Sequence, residues 1–238
     1  MTSDEESKIV AYLQKKTPDQ LLSFIMEMCK KDDKLAKKLL DEARLKNDID
    51  AIAQRLCDGV KRMCENLETA DPKFDKIYSE LLKLLEDGEG DAILKVCDVI
   101  LKYSFMLIYD YDFADSILED LVDCIELIPE ALDVSSMSHA ERLIFCIECE
   151  MRAPGATCSI FWLYTEENGT EDDWNIVADA LLARLEEGDS YARRLLSGHP
   201  GHTGHADVLD KLKFWVGDAL FVAHRDEEAK AHGYWKMN

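Results

Sequence analysis

His199, His202 and His205 fall within seven residues, in the stretch His199-Pro200-Gly201-His202-Thr203-Gly204-His205. Imidazole is the commonest neutral metal ligand, and a loop can wrap three of them around one ion. Asp207 and Asp210 follow closely and could add a carboxylate, which makes a metal-dependent hydrolase one function open to this chain. A Gly/Pro loop supplies little preorganisation, however, so the reading favoured is adventitious Zn or Ni binding with no resident cofactor. Cys146-Ile147-Glu148-Cys149 has Cys-x-x-Cys spacing, with Cys158 nearby. A structural zinc wants four soft ligands, and no second Cys pair is present. A redox pair wants its first thiol at an exposed helix N-terminus, whereas this one lies inside a predicted helix among Leu143, Ile144 and Ile147. Buried structural thiols are therefore expected.

Asp110-x-Asp112-x-x-Asp115 offers carboxylate oxygens that could hold a divalent cation. An EF-hand-like loop counted from Asp110 fails, because Ala114, Asp115 and Leu121 occupy positions that need an oxygen ligand, Gly and Glu. The acids then read as a turn before a helix starting near Ser116, or as part of a larger acidic groove. Neither Gly-x-Ser-x-Gly, a Gly-rich phosphate loop nor His-Glu-x-x-His occurs.

The strongest signal is electrostatic. Residues 103–141 contain no Lys or Arg, yet carry Asp110, Asp112, Asp115, Glu119, Asp120, Asp123, Glu126, Glu130, Asp133 and Glu141. An apolar stripe at helical spacing runs through the same window, so the acids belong to a folded surface. The chain's net charge of −21 is concentrated here, while the first fifty residues are nearly balanced. Such a surface repels phosphate backbones, which disfavours direct nucleic-acid binding and favours a basic protein partner. Asp110, Asp112, Asp115, Glu119 and Asp123 are the candidate partner-binding residues. A mimic of nucleic acid that occupies a DNA-binding protein is the alternative the charge suggests.

The elements that must hold these residues read almost entirely as helices. Thr17-Pro18-Asp19-Gln20 is a start signal with a capping box, and Leu22, Ile25, Met26 and Cys29 follow one face. Asp32 or Asp33 caps a helix carrying Leu35, Leu39 and Leu40. A separate helix is expected from Ile49 through Ile52, Leu56, Val60 and Met63 to Leu67. Asp71-Pro72 starts the next, Gly88-Glu89-Gly90 ends it, and Asp91 caps its successor, whose end at Tyr103–Ile108 looks central and doubly covered. Pro129 should disturb or end the helix of the acidic window.

Helices over about 139–151, 157–165, 174–185 and 206–223, and a short one from Asp226, complete the chain. The segment 157–165 is rich in aromatic and β-branched residues, but a lone strand would have nothing to pair with, so it reads as a short buried helix. All four Trp lie in the last third and read mainly as core, with Trp235 either docking or covering the last helix. No apolar run resembles a signal peptide or spans a bilayer, so a soluble, cytoplasmic protein with reduced thiols is expected.

Leu84-Leu85-Glu86-Asp87-Gly88 echoes Arg184-Leu185-Glu186-Glu187-Gly188, which suggests stacked hairpins. Thr17–Leu40 and the stretches 109–123 and 171–188 resemble segments of an uncharacterised bacterial helical domain found downstream of SWIM-type zinc fingers. The resemblance covers roughly residues 20–190. It implies a tetratricopeptide-like scaffold without assigned catalytic residues. The zinc finger itself is missing, since no Cys-x-Cys or Cys-x-His occurs.

The expected fold is all-α: stacked antiparallel helical hairpins, an α-solenoid or tetratricopeptide-like array, in one domain spanning 1–238. A subdivision into 1–47, 48–196 and 197–238 is conceivable. The expected function is a non-enzymatic protein–protein scaffold.

Overall fold

The computed structural model describes residues 12–13, 15–65, 73–109, 115–153, 158–198 and 204–234. Among them every regular element is a helix, and the fold is all-α. The chain forms two compact units, Met1–Ala51 and Ile52–Asn238.

In the first unit α1 spans Pro18–Cys29. Its start is fixed by the expected reciprocal cap: the Gln20 amide donates to Thr17 Oγ1 at 3.3 Å and the Thr17 amide donates to Gln20 Oε1 at 3.1 Å. The apolar face of α1 is open to solvent, with Leu22, Ile25 and Met26 all exposed. Helix α2, Asp33–Glu65, begins in this unit, where the Asp32 carboxylate accepts the amides of Lys34 and Leu35 at 2.9 and 3.2 Å, and from Ile52 onward belongs to the second. Two separate helices were expected here. They are one because nothing between Lys34 and Asp58 is Gly or Pro, so no residue interrupts the amide ladder.

The second unit holds the core. Besides the part of α2 from Ile52 onward, its helices are α3 (Phe74–Glu86), α4 (Gly90–Tyr109), α5 (Asp115–Asp133), α6 (His139–Arg152), α7 (Cys158–Glu167), α8 (Glu171–Glu187), α9 (Asp189–Leu195), α10 (His205–Val222) and α11 (Asp226–Ala231). Helices α3, α4 and α5 pack on one another. Helix α6 meets α4, α7, α8 and α10, while α8, α9 and α10 form a mutually packed set that α11 joins through α10. A large apolar cluster, with Leu143, Ile147, Trp174, Leu181, Tyr191, Leu212, Trp215 and Leu220 among its members, holds α6 and α8–α11 together.

Three sequence expectations change. Pro129 does not end its helix: α5 continues to Asp133. Proline removes one amide donor, but Ile125, Ile128, Ala131 and Leu132 around it are fully buried, and that packing offsets the lost bond. The deeply covered part of α4 is Ala92–Leu101; its end emerges, and Tyr109 is 60% exposed. Asp91 does not cap α4 but accepts the Ser136 amide at 3.0 Å, tying the start of α4 to the turn after α5.

That junction depends on Gly90. A Cβ at this position would lie 2.2 Å from the Ala131 carbonyl oxygen and 2.8 Å from the Ser135 amide nitrogen, both backbone atoms unable to move alone. Gly90→Ala is therefore expected to destabilise the protein by about 2–3 kcal/mol in urea unfolding. Gly59→Ala, where a Cβ meets nothing within 4 Å, should stabilise it by about 0.5–1 kcal/mol.

Candidate functional site

Helix α5 sorts its side chains by register. Leu121, Cys124, Ile125, Ile128, Ala131 and Leu132 are fully buried and form its inner face. Glu119, Asp123, Glu126, Glu130 and Asp133 recur at alternating intervals of four and three, which stacks them in one row on the opposite face. The row extends about 21 Å at 1.5 Å per residue. Glu119, Glu126, Glu130 and Asp133 are exposed and Asp123 is half-buried. Asp133 accepts the Tyr164 hydroxyl at 3.1 Å. The other four meet no cation among the described residues, and α5 carries no base of its own. Their field is felt on α3. There the Tyr78 hydroxyl is held above the usual phenol range, first by desolvation and then by Asp123, Glu130 and Glu126.

Three of the five sequence-predicted partner residues lie on α5. Glu119 and Asp123 stand in the row, and Asp115 is the first residue of α5. Asp110 and Asp112 lie outside the described residues. So do His199 and His202, while His205 is exposed as the first residue of α10. Among the described residues no three His, Cys, Asp or Glu side chains gather where they could hold a metal ion. No described helix is long and apolar enough to cross a membrane.

Cys146 and Cys149 are both completely buried. The Cys146 thiol donates to the Phe161 carbonyl at 3.4 Å, and an Arg152 N–H reaches Cys149 Sγ at 3.6 Å. Burial pushes the Cys146 thiol well above its usual range and Cys149 up to about 12, the latter against the opposing pull of Arg152. Both are protonated at neutral pH, the form least suited to metal ligation or nucleophilic attack.

A second constellation was not anticipated. A cleft of about 540 Å³ lies where α4, α6, α8 and α9 converge. At its base Arg152, 6% exposed, forms an ion pair with Asp98 and donates to the Glu148 carbonyl at 3.1 Å. Lys102 reaches Asp98 at 3.1 Å. Arg184 meets the Glu148 carboxylate at 2.9 Å, and the Tyr191 hydroxyl donates to the same oxygen at 3.1 Å. Burial alone would raise the Asp98 carboxyl, but Arg152 and Lys102 outweigh it and hold it below the usual carboxylate range. Each cation in the cleft is matched by a carboxylate, an arrangement that locks four helices together.

Sequence reasoning also missed that Trp162, Trp174 and Trp215 line one cavity with Glu166 and Asp218. The available signal was an acid one turn after a Trp, Glu166 after Trp162 and Asp218 after Trp215. Comparison with family models, curated proteins and solved structures finds nothing that matches this chain.

Replacing Asp98 leaves a buried guanidinium without its counter-charge. Asp98→Asn is expected to cost about 2–3 kcal/mol, reduced from the full buried-pair value because Asp98 is partly solvated. The wild-type contribution is present above the unfolded carboxylate pKa of about 3.9 and disappears as pH falls through the lower folded value. Urea unfolding from pH 7 to 3 should therefore show the gap between wild type and variant closing at the acid end.

Proposed function

We propose that this chain is a non-enzymatic binding scaffold whose acidic α5 face takes a basic protein partner. The observation that carries the reading is the row Glu119, Asp123, Glu126 and Glu130, four carboxylates without a cation among the described residues. Like charges three and four apart on a helix cost roughly 0.2–0.5 kcal/mol per pair. The row is thus a standing repulsion that a positively charged surface would relieve. Its field would speed encounter with basic partners and exclude acidic ones, while apolar contacts set the lifetime of the complex. The structural part of the proposal is a tetratricopeptide-like array related to the helical domain found downstream of SWIM-type zinc fingers. It draws support from the main helix contacts, which join helices one or two apart in chain order except for α6 with α10.

Nucleic-acid mimicry is a second reading, favoured by the straightness of the carboxylate row. Reversing Glu119, Asp123, Glu126 and Glu130 to Lys is expected to slow association with a basic protein captured at low ionic strength by about tenfold or more. Dissociation should change little. High salt should weaken wild-type capture in the same way. An association rate unaltered by the four reversals would sink the proposal, and release of the captured protein by duplex DNA would favour mimicry.

A further inference from the structure

Helices α7, α8 and α10 enclose a cavity of about 380 Å³ whose walls are mainly indole. Trp162 comes from α7, Trp174 from α8 and Trp215 from α10. Trp162 and Trp215 lie with ring centroids 5.1 Å apart at 43°, and Phe214 backs Trp162 at 5.4 Å. The Trp215 indole N–H donates to Glu150 at 3.0 Å, which fixes that ring's orientation. Trp174 and Trp215 are 4% and 2% exposed and belong to the apolar core, while Trp162 is half-buried.

Two carboxylates, Glu166 and Asp218, border the same space. Neither meets a cation or a hydrogen-bond donor among the described residues. Asp218 is half-buried, and burial together with the charge of Glu166 holds its carboxyl above the usual range. A half-buried carboxylate beside a second, exposed one, set against aromatic walls with no counter-charge among the described residues, is an unfavourable arrangement for the protein alone. A cation between them removes the cost.

The walls select which cation. A divalent metal needs six or more oxygen ligands or retained waters, and indole supplies neither. A primary ammonium brings three N–H donors that each need an acceptor. The two carboxylates and the Thr165 hydroxyl oxygen, whose proton goes to the Trp162 carbonyl at 2.8 Å, can accept from it on one side, but the indole faces offer no acceptor to replace the rest of its hydration. A quaternary ammonium has no N–H to satisfy. It is soft, weakly hydrated and attracted to the faces of aromatic rings, Trp most strongly.

We propose that the cavity lined by Trp162, Trp174 and Trp215 binds a methylated ammonium group, with Glu166 and Asp218 as its counter-charge. The inference stands independently of the α5 row, since it rests on different helices and a different kind of contact. The group could belong to a free small cation of the choline type or to a methylated lysine side chain.

Calorimetric titration of the full chain tests the proposal with choline, with its uncharged isostere 3,3-dimethylbutan-1-ol, and with a short peptide carrying trimethyl-lysine or unmodified lysine. Saturable choline or trimethyl-lysine binding is expected, with the neutral isostere at least about tenfold weaker. Asp218→Asn, nearly isosteric, and Trp162→Ala, at the half-exposed wall, should each weaken binding by a similar factor. A trimethyl-lysine peptide about tenfold tighter than choline assigns the group to a protein side chain, and equal affinity assigns it to a free cation. The proposal is overturned by absence of saturable binding, by equal affinity for the isostere, by equal affinity for unmodified lysine, or by an Asp218→Asn variant that binds as wild type.

Discussion

A guanidinium almost wholly removed from solvent constrains much of the second unit. Arg152 sits at the last turn of α6 with almost no exposure, and a charge so placed must be met from several directions at once. Asp98 meets it from α4, and the Glu148 carbonyl and the Cys149 sulfur meet it from within α6. The Glu148 carboxylate then reaches outward to Arg184 on α8 and Tyr191 on α9. Four helices are thereby joined through two side chains of α6, Arg152 and Glu148. Apolar burial alone would allow each to slide along its neighbour, whereas directional bonds to the Arg152 guanidinium and the Glu148 carboxylate favour one register. Helix α5 packs on α4 and α7 on α6, so the acidic row and the indole cavity inherit that register.

The acidic face follows from the placement of bases as much as from the placement of acids. Lys102, Arg152, Arg184 and Arg194 all pair with carboxylates of the cleft or its rim. Arg142, the first base after the long uncharged-by-cation window, donates to the Met137 and Ser135 carbonyls and closes the turn into α6. Arg225 is held between Asp179 and Glu228. What is left on α5 is a helix whose inner side is apolar and whose outer side is negative along its length. The cavity of Trp162, Trp174 and Trp215 repeats that logic in miniature, since Glu166 and Asp218 also lack a partner base among the described residues.

Local signals in the sequence located most helix starts, because capping chemistry is confined to three or four adjacent residues. Thr17 with Gln20 forms the box its spacing predicts, and Ser138 with Glu141 forms the same kind of box at the start of α6. The short aromatic segment is helical, as the lack of any pairing strand required. The failures share a cause. Whether Pro129 breaks α5 depends on how tightly Ile125, Ile128 and Leu132 are gripped by α3 and α4, which no local window contains. The all-round apolarity of Tyr103–Ile108 looked like a central position, yet coverage is supplied by neighbours, and they cover the first three turns. The intervals separating Glu119, Asp123, Glu126, Glu130 and Asp133 were readable as one helical row. The meeting of residues 162, 174 and 215, like that of Asp98 with Arg152, depends on packing between distant helices and leaves no spacing to read.

The central claim is that the outer row of α5 is where a basic partner sits. Carboxyl footprinting tests it most directly: exposed acids are coupled to a small amine with a carbodiimide, with and without the partner, and quantified by mass spectrometry. The account predicts that Glu119, Glu126 and Glu130 lose labelling in the complex, whereas Glu171, Asp172 and Glu227, equally exposed elsewhere, are labelled as before. Unchanged labelling along α5, with protection at the other acids, would contradict it.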